Sequence, residues 1–223
     1  MNQHPGTIGR KVGMTQIFNA DGTVDRVTII EAPTVVVGKR TMEKDGYSAL
    51  ILGLDERKEK HTKKPAAGMY KKAGVTPKRV LRELRCSEEF AAGFEIGKKL
   101  PIDQIFEVGQ IVDVQGVTRG RGFSGVFRRW HMAGSVMTHG SHEYKRHGGS
   151  IGTNMTPGRT LPGLKMPGHH GDKVRTALNI KIVRIMPETD MLLIDGAVPG
   201  TENGIVMVRG AVKKMGGKPK AKK

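Results

Sequence analysis

The sequence predicts a mainly β protein: a small closed β-barrel with one or two short helices and a long irregular central extension. Three observations lead there. Seven short runs dense in β-branched residues recur along the chain, separated by turn residues. A central stretch, residues 117–176, has no strong apolar period and interrupts them. Within it, "HGGSIGTNMTPGRTLPGLKMPGHHG" (147–171) holds seven Gly and three Pro and cannot build a core of its own.

The strand candidates, in order, are "VTIIEA" (27–32), "TVVVGKR" (34–40), "YSALILGL" (47–54), "QIVDVQGV" (110–117), "NIKIVRIM" (179–186), "MLLIDGAV" (191–198) and "IVMVRGAV" (205–212). "NADGT" after Phe18, "KDG" at 44–46, "PETD" at 187–190 and "PGTENG" at 199–204 supply turn chemistry between runs. "DERKEKHTKK" reads as a solvated charged loop, open to contact with a polyanion. One helix is expected in "KPAAGMYKKAG", with Pro65 in the first turn and Gly74 ending it. A second is expected in "CSEEFAAGF", with Ser87 as N-cap and acids in its first turn. The barrel therefore spans 1–116 and 178–212. The chain leaves it near Gly116 and re-enters near Leu178, a basic extension occupies 117–177, and a lysine-rich tail occupies 213–223.

Charge sorts the function classes. The chain carries 38 Lys+Arg against 21 Asp+Glu, a formal net charge of +17 and a pI near 10.2. Residues 117–176 hold ten Lys/Arg and two acids, Glu143 and Asp172, and the tail adds six Lys and no acid. Taking both zones from the total leaves only +3 for the rest. Such a field attracts polyanions, nucleic acid first and an anionic membrane surface second. No run reaches the roughly 20 apolar residues of a transmembrane helix, and the N-terminal stretch lacks an apolar signal core, so a cytoplasmic protein is expected. The single cysteine, Cys86, permits no disulfide within the chain, which fits a reducing compartment; it reads as a small half-buried residue.

A flexible, glycine-laden cationic segment suits a crevice walled by phosphates, where its ordering cost is met on binding. Aromatics make up 4%, too few for a platform stacking single-stranded bases, and no recognition helix, zinc finger or basic zipper is present. A compact folded RNA read by shape and backbone fits better. In "RGRGFSGVFRRWH", Arg119, Arg121, Arg128 and Arg129 surround Phe123, Phe127 and Trp130. On a short helix Phe123 and Phe127 would share a face; the aromatics either meet RNA or anchor the base of the extension. The further candidate RNA contacts are His139, His142, Lys145, Arg146, His147, Ser150, Asn154, Arg159, Lys165, His169, His170, Lys173 and Arg175.

Catalysis finds no support. The histidines match no standard metal spacing and have no cysteine beside them, so no metal, cofactor or small-molecule substrate is expected. No phosphate-binding GxxxxGK[ST] loop, GxSxG elbow or HExxH occurs; "GRGFSG" fits GxGxxG but opens no βαβ unit. The rival readings are a DNA-condensing protein, favoured by charge alone, and a histidine-dependent RNA-processing enzyme.

"GRKVGMTQIF", "GVTRGRGFSGVFRRW", "HGGSIGTNMTPGR", "MPGHHG" and "LLIDGAVPG" closely resemble the bacterial large-subunit ribosomal protein three family, in the family's order and over nearly the whole chain. The resemblance implies a barrel of the translation-protein type and a non-enzymatic structural role in the large (50S) subunit. It implies direct binding to 23S rRNA near its 3′ end, early assembly nucleation, and an extension reaching toward the peptidyl transferase centre. Ribosomal proteins fourteen and nineteen of the same subunit would be neighbours, and Ser150 to Arg159 would lie at or near the extension's tip. The resemblance also marks one departure: many members carry a glutamine, methylated by a dedicated enzyme, where this chain has Met155.

Overall fold

The computed structural model describes residues 5–213; the lysine-rich tail beyond Lys213 lies outside the described residues. Eleven strands, four α-helices and three short 3-10 turns occur among them. The elements are β1 (Gly6–Phe18), β2 (Val24–Glu31), β3 (Val35–Arg40), α1 (Met42–Asp45), β4 (Ala49–Glu56), α2 (Lys64–Ala73), β5 (Lys78–Arg85), α3 (Glu88–Ala92), β6 (Ile111–Val117), β7 (Phe123–Ser124), α4 (Val126–Trp130), β8 (Gly168–His169), β9 (Val174–Met186), β10 (Met191–Asp195) and β11 (Ile205–Gly210).

Six strands close a barrel in the order β1-β11-β6-β9-β10-β2, with β2 returning to β1. All its pairings are antiparallel. The expected mainly β class and closed barrel are therefore present. Not every β-rich run joins the barrel: β3, β4 and β5 form a separate three-stranded sheet. Apolar residues alternate inward along the strands. Ile8, Ile30, Val114, Ile182, Leu192, Ile194 and Val208 from the barrel and Leu50, Leu52, Leu54 and Leu84 from the small sheet join one fully buried cluster.

Two strands escape the period-2 reading. β1 contains glycines at 6, 9 and 13 and cations at 10 and 11, a poor β composition. The glycines serve close approach: a Cβ at Gly6 would sit 2.3 Å from the Val208 carbonyl oxygen, and one at Gly9 2.5 Å from Ile30 Cγ2. β5, "KRVLRELR", reads locally as a charged helix, yet it pairs with β4 from Ala49↔Arg85 to Glu56↔Lys78 and forms the sheet's edge. Charged residues on an edge strand discourage pairing with another chain.

The helices follow their local signals. α2 has Pro65 in its first turn and ends on Gly74 in the left-handed conformation. In α3 the Ser87 hydroxyl accepts from the Phe90 amide, and acids fill the first turn. The charged loop before α2 holds an exposed 3-10 turn, Glu59–His61. Cys86 is fully buried, 2% exposed, rather than half-buried; desolvation raises its thiol pKa, which keeps it protonated and inert.

Strand pairing resumes earlier than the sequence implied. β9 begins at Val174, paired with Val117, so residues 174–177 belong to the barrel and the re-entry near Leu178 is corrected upstream. Its polar opening, "VRTA", hid it. Arg175 is accordingly a barrel-strand residue, opposite Gly116. The buried carboxylate of Asp113 holds this region: it accepts from the Asn179 amide at 2.9 Å and the Val212 amide at 3.1 Å, where the β6–β9 register shifts. By its internal contacts the chain divides into two compact units, Thr118–Lys173 and the remainder. No helix among the described residues is long and apolar enough to cross a membrane.

Candidate nucleic-acid interface

Residues Thr118–Lys173 are organised from their two ends inward. The Thr118 amide donates to the Lys173 carbonyl and the Asp172 amide to the Thr118 carbonyl. The Arg121 amide donates to the His170 carbonyl, and the His170 amide to the Gly122 carbonyl. β7 and β8 then pair, Phe123 opposite His169 and Ser124 opposite Gly168. Two chain segments about fifty residues apart thus lie side by side, with Arg119 and Arg121 exposed on one and His169 and Lys173 exposed on the other.

α4 pins the next level. Arg129 Nη1 and Trp130 Nε1 both donate to the Met166 carbonyl. The Arg129 guanidinium also stands 4.9 Å from the centre of the Trp130 ring, and that of Arg146 4.1 Å from the centre of the Phe127 ring. Phe127 and Trp130 therefore anchor contacts inside this unit. The expectation that Phe123 and Phe127 share a helix face is corrected: Phe123 lies in β7, before the helix, and is 81% exposed. Gly125 separates them and ends the strand.

The predicted residues fall into groups. Arg121, Arg128, Arg129 and His131 all act electrostatically on His170. The His170 ring is half-buried and its Nδ1 is shielded without a hydrogen-bond partner. Desolvation, followed by these cations, depresses its pKa and holds the imidazole neutral. Arg146, His147, Ser150 and Lys165 line one cavity. His139 and His142 are exposed at positive φ in the loop beside Tyr144. Lys145 is half-buried, and its carbonyl accepts from the Ser135 amide. Asn154 and Arg159 sit in a fully exposed stretch, and Met155 is 86% exposed. No group of three or more His, Cys, Asp or Glu residues able to hold a metal occurs among the described residues.

Electrostatically the unit is uncompensated. Every salt bridge among the described residues lies outside Thr118–Lys173. Its nine Lys and Arg have no carboxylate partner, and burial of such charge without counter-ions is avoided by leaving most of them exposed.

Of a second cationic surface, sequence reasoning caught only the charged loop at 55–64. Residues 57–85 hold eleven Lys/Arg and two Glu, a net +9, which the near-neutral average of the barrel zone concealed. Arg57, Lys60 and Lys64 are exposed before and at the start of α2, Lys71 and Lys72 at its end, and Arg79 on β5. A sliding charge count over about thirty residues reveals it; division into three long zones does not.

A family model described as Ribosomal protein L3 matches residues 84–191, which include this unit and its flanking strands. A large ribosomal subunit protein uL3 from Sorangium cellulosum (strain So ce56) is 69% identical over 218 residues, 98% of this chain and 94% of the relative. The chain belongs to the ribosomal protein L3 family. A uL3 protein from Myxococcus xanthus (strain DK1622) is 48% identical over 93% of each chain, and one from Brachyspira pilosicoli 45% identical over 94% of each. Members of the L3 family are structural ribosomal components, not enzymes, which accords with a unit built of cations, glycines and backbone hydrogen bonds.

Proposed function

We propose that this chain, as a structural constituent of the large ribosomal subunit, binds 23S rRNA directly near its 3′ end and helps nucleate assembly. Its Thr118–Lys173 unit reaches into folded RNA toward the peptidyl transferase centre without taking part in chemistry. The observation that carries this reading is the uncompensated charge: nine cations with no ion pair in a segment whose loops turn on glycine. Phosphates are the counter-charges such a surface lacks, and their release of bound cations drives association. Arg119, Arg121, Arg128, Arg159, Lys165 and Lys173 are exposed and serve as phosphate contacts. The surface at residues 57–85 gives the barrel unit a second contact with RNA. Ribosomal proteins fourteen and nineteen are its proposed neighbours. Met155 leaves the exposed loop without the amide of a glutamine, so side-chain amide methylation has no substrate there.

The test is competition at physiological salt. The purified chain is titrated with 23S rRNA in the presence of duplex DNA, and cell extracts are fractionated on sucrose gradients. Retention on rRNA against excess duplex and co-migration with large subunits are expected. Equal competition by duplex DNA, with no co-migration, would return the DNA-condensing alternative.

A further inference from the structure

Inside the Thr118–Lys173 unit, Gly125, Val126, Met132 and residues 146–151 and 164–167 line a cavity of about 410 Å³. That lies within the roughly 300–1,000 Å³ of small-ligand pockets. Its walls are apolar: Val126, Met132, Ile151, Leu164, Met166 and Pro167. Val126 is buried, but Ile151 is 61% and Leu164 39% exposed, so apolar surface faces the opening uncovered. Arg146, His147 and Lys165 also line it, and no carboxylate does. Arg146 is held in place by the Phe127 ring. Gly148 and Gly149 form a stretch of wall in bare backbone: a Cβ at Gly148 would already sit 3.2 Å from Val126 Cγ2.

An apolar slot that carries Arg146 and Lys165 on its lining and no carboxylate suits a ligand with one apolar face and an attached anion. An unstacked nucleotide has that form, and extruded bases are received between apolar side chains. The thioethers of Met132 and Met166 adapt to a flat ring of either size. We infer that the cavity receives one extruded base of the bound RNA, with its phosphate against Arg146 and Lys165. The inference rests on the RNA-binding reading above and adds a base-sized seat to a surface otherwise made of phosphate contacts.

The experiment compares three variants of the full chain for 23S rRNA affinity across a salt series. Leu164→Trp fills the cavity, Ile151→Ala strips an exposed wall and spares the fold, and Arg119→Ala/Arg121→Ala removes phosphate contacts only. The first two are expected to weaken binding about tenfold, the scale of a lost base contact, with the salt slope unchanged. The third is expected to lower the slope. A photoreactive benzoylphenylalanine at Ile151 is expected to crosslink to one nucleotide, whose base loses chemical reactivity in the complex. Wild-type affinity of both Leu164→Trp and Ile151→Ala, or crosslinks spread over many nucleotides or onto protein, overturns the base seat. If the arginine double variant also binds as wild type with the same slope, the RNA-binding reading fails instead. Saturation of the wild-type site by free adenosine monophosphate as tightly as by rRNA would make it a free-nucleotide site and likewise overturn the inference.

Discussion

Arg129 and Trp130, consecutive residues at the end of α4, donate to the same carbonyl, that of Met166, at 2.7 and 2.9 Å. One oxygen thus holds two side chains of a helix to a loop segment more than thirty residues away. Trp130→Phe keeps the ring and removes one donor, and is expected to cost about 1 kcal/mol of local stability. Arg129→Met removes the charge-assisted donor and costs more. Amide exchange at His170, measured by NMR on the free protein, is the readout; unchanged rates in both variants would mean that Met166 is not a clamp.

The same geometry separates two adjacent arginines. Arg128 is exposed and makes no side-chain hydrogen bond or ion pair among the described residues, whereas Arg129 is half-buried and committed to Met166. Arg128→Ala is therefore expected to reduce the salt slope of rRNA binding by about one. Arg129→Ala is expected to weaken binding chiefly by loosening the unit, seen as faster exchange at Arg121 and His170. Equal slope changes from both would contradict this division.

Gly171 is a further pivot. Its φ is +82°, and a Cβ there would lie 2.1 Å from the Arg119 carbonyl oxygen. Gly171→Ala combines left-handed strain with a backbone collision, an expected loss of about 1–3 kcal/mol at the base of the unit. Loss of protection at the Asp172 amide, which donates to Thr118, reports it.

His170 makes the unit pH-sensitive. Its folded pKa is depressed by desolvation and by Arg121, Arg128, Arg129 and His131. At pH above the ordinary histidine value of about 6.5 both states are neutral and stability is full. As pH falls below it, the unfolded chain takes up a proton that the folded one resists, and stability declines until the folded pKa is passed. His170→Gln is expected to flatten this decline in a proteolysis-versus-pH series. Bound RNA phosphate near these cations would raise the pKa, so binding at pH 6 is expected to take up protons.

In the barrel, Asp113→Ala leaves the Asn179 and Val212 amides without their acceptor. The expected cost is about 2 kcal/mol, seen as a lower urea midpoint with unchanged slope.

Much of the fold was legible because its signals are local. α2 and α3 are announced by Pro65, Gly74 and Ser87, residues that act within one turn. The seven β-branched runs all lie on strands, since alternation reports a half-buried pleated surface. β1 and β5 were not legible, because their strand character comes from partners: Ile30 and Val208 crowd the glycines of β1, and β4 supplies the ladder for β5. Of the candidate interface, the cationic, glycine-rich residues could be named from sequence. Which of them turn inward could not.

By itself the sequence determined the β class, the helix ends, the location of excess charge and the family, all of which are carried by residue type and short spacing. Only the tertiary structure decided that six strands close while three stand apart, that Arg129 is a clamp and Arg128 makes no such bond, and that Val126, Met132, residues 146–151 and residues 164–167 line one cavity. Those outcomes depend on contacts between residues as much as 203 positions apart, as Gly6 and Arg209 are, and a local pattern holds no record of which distant oxygen, ring or strand edge will be there to meet it.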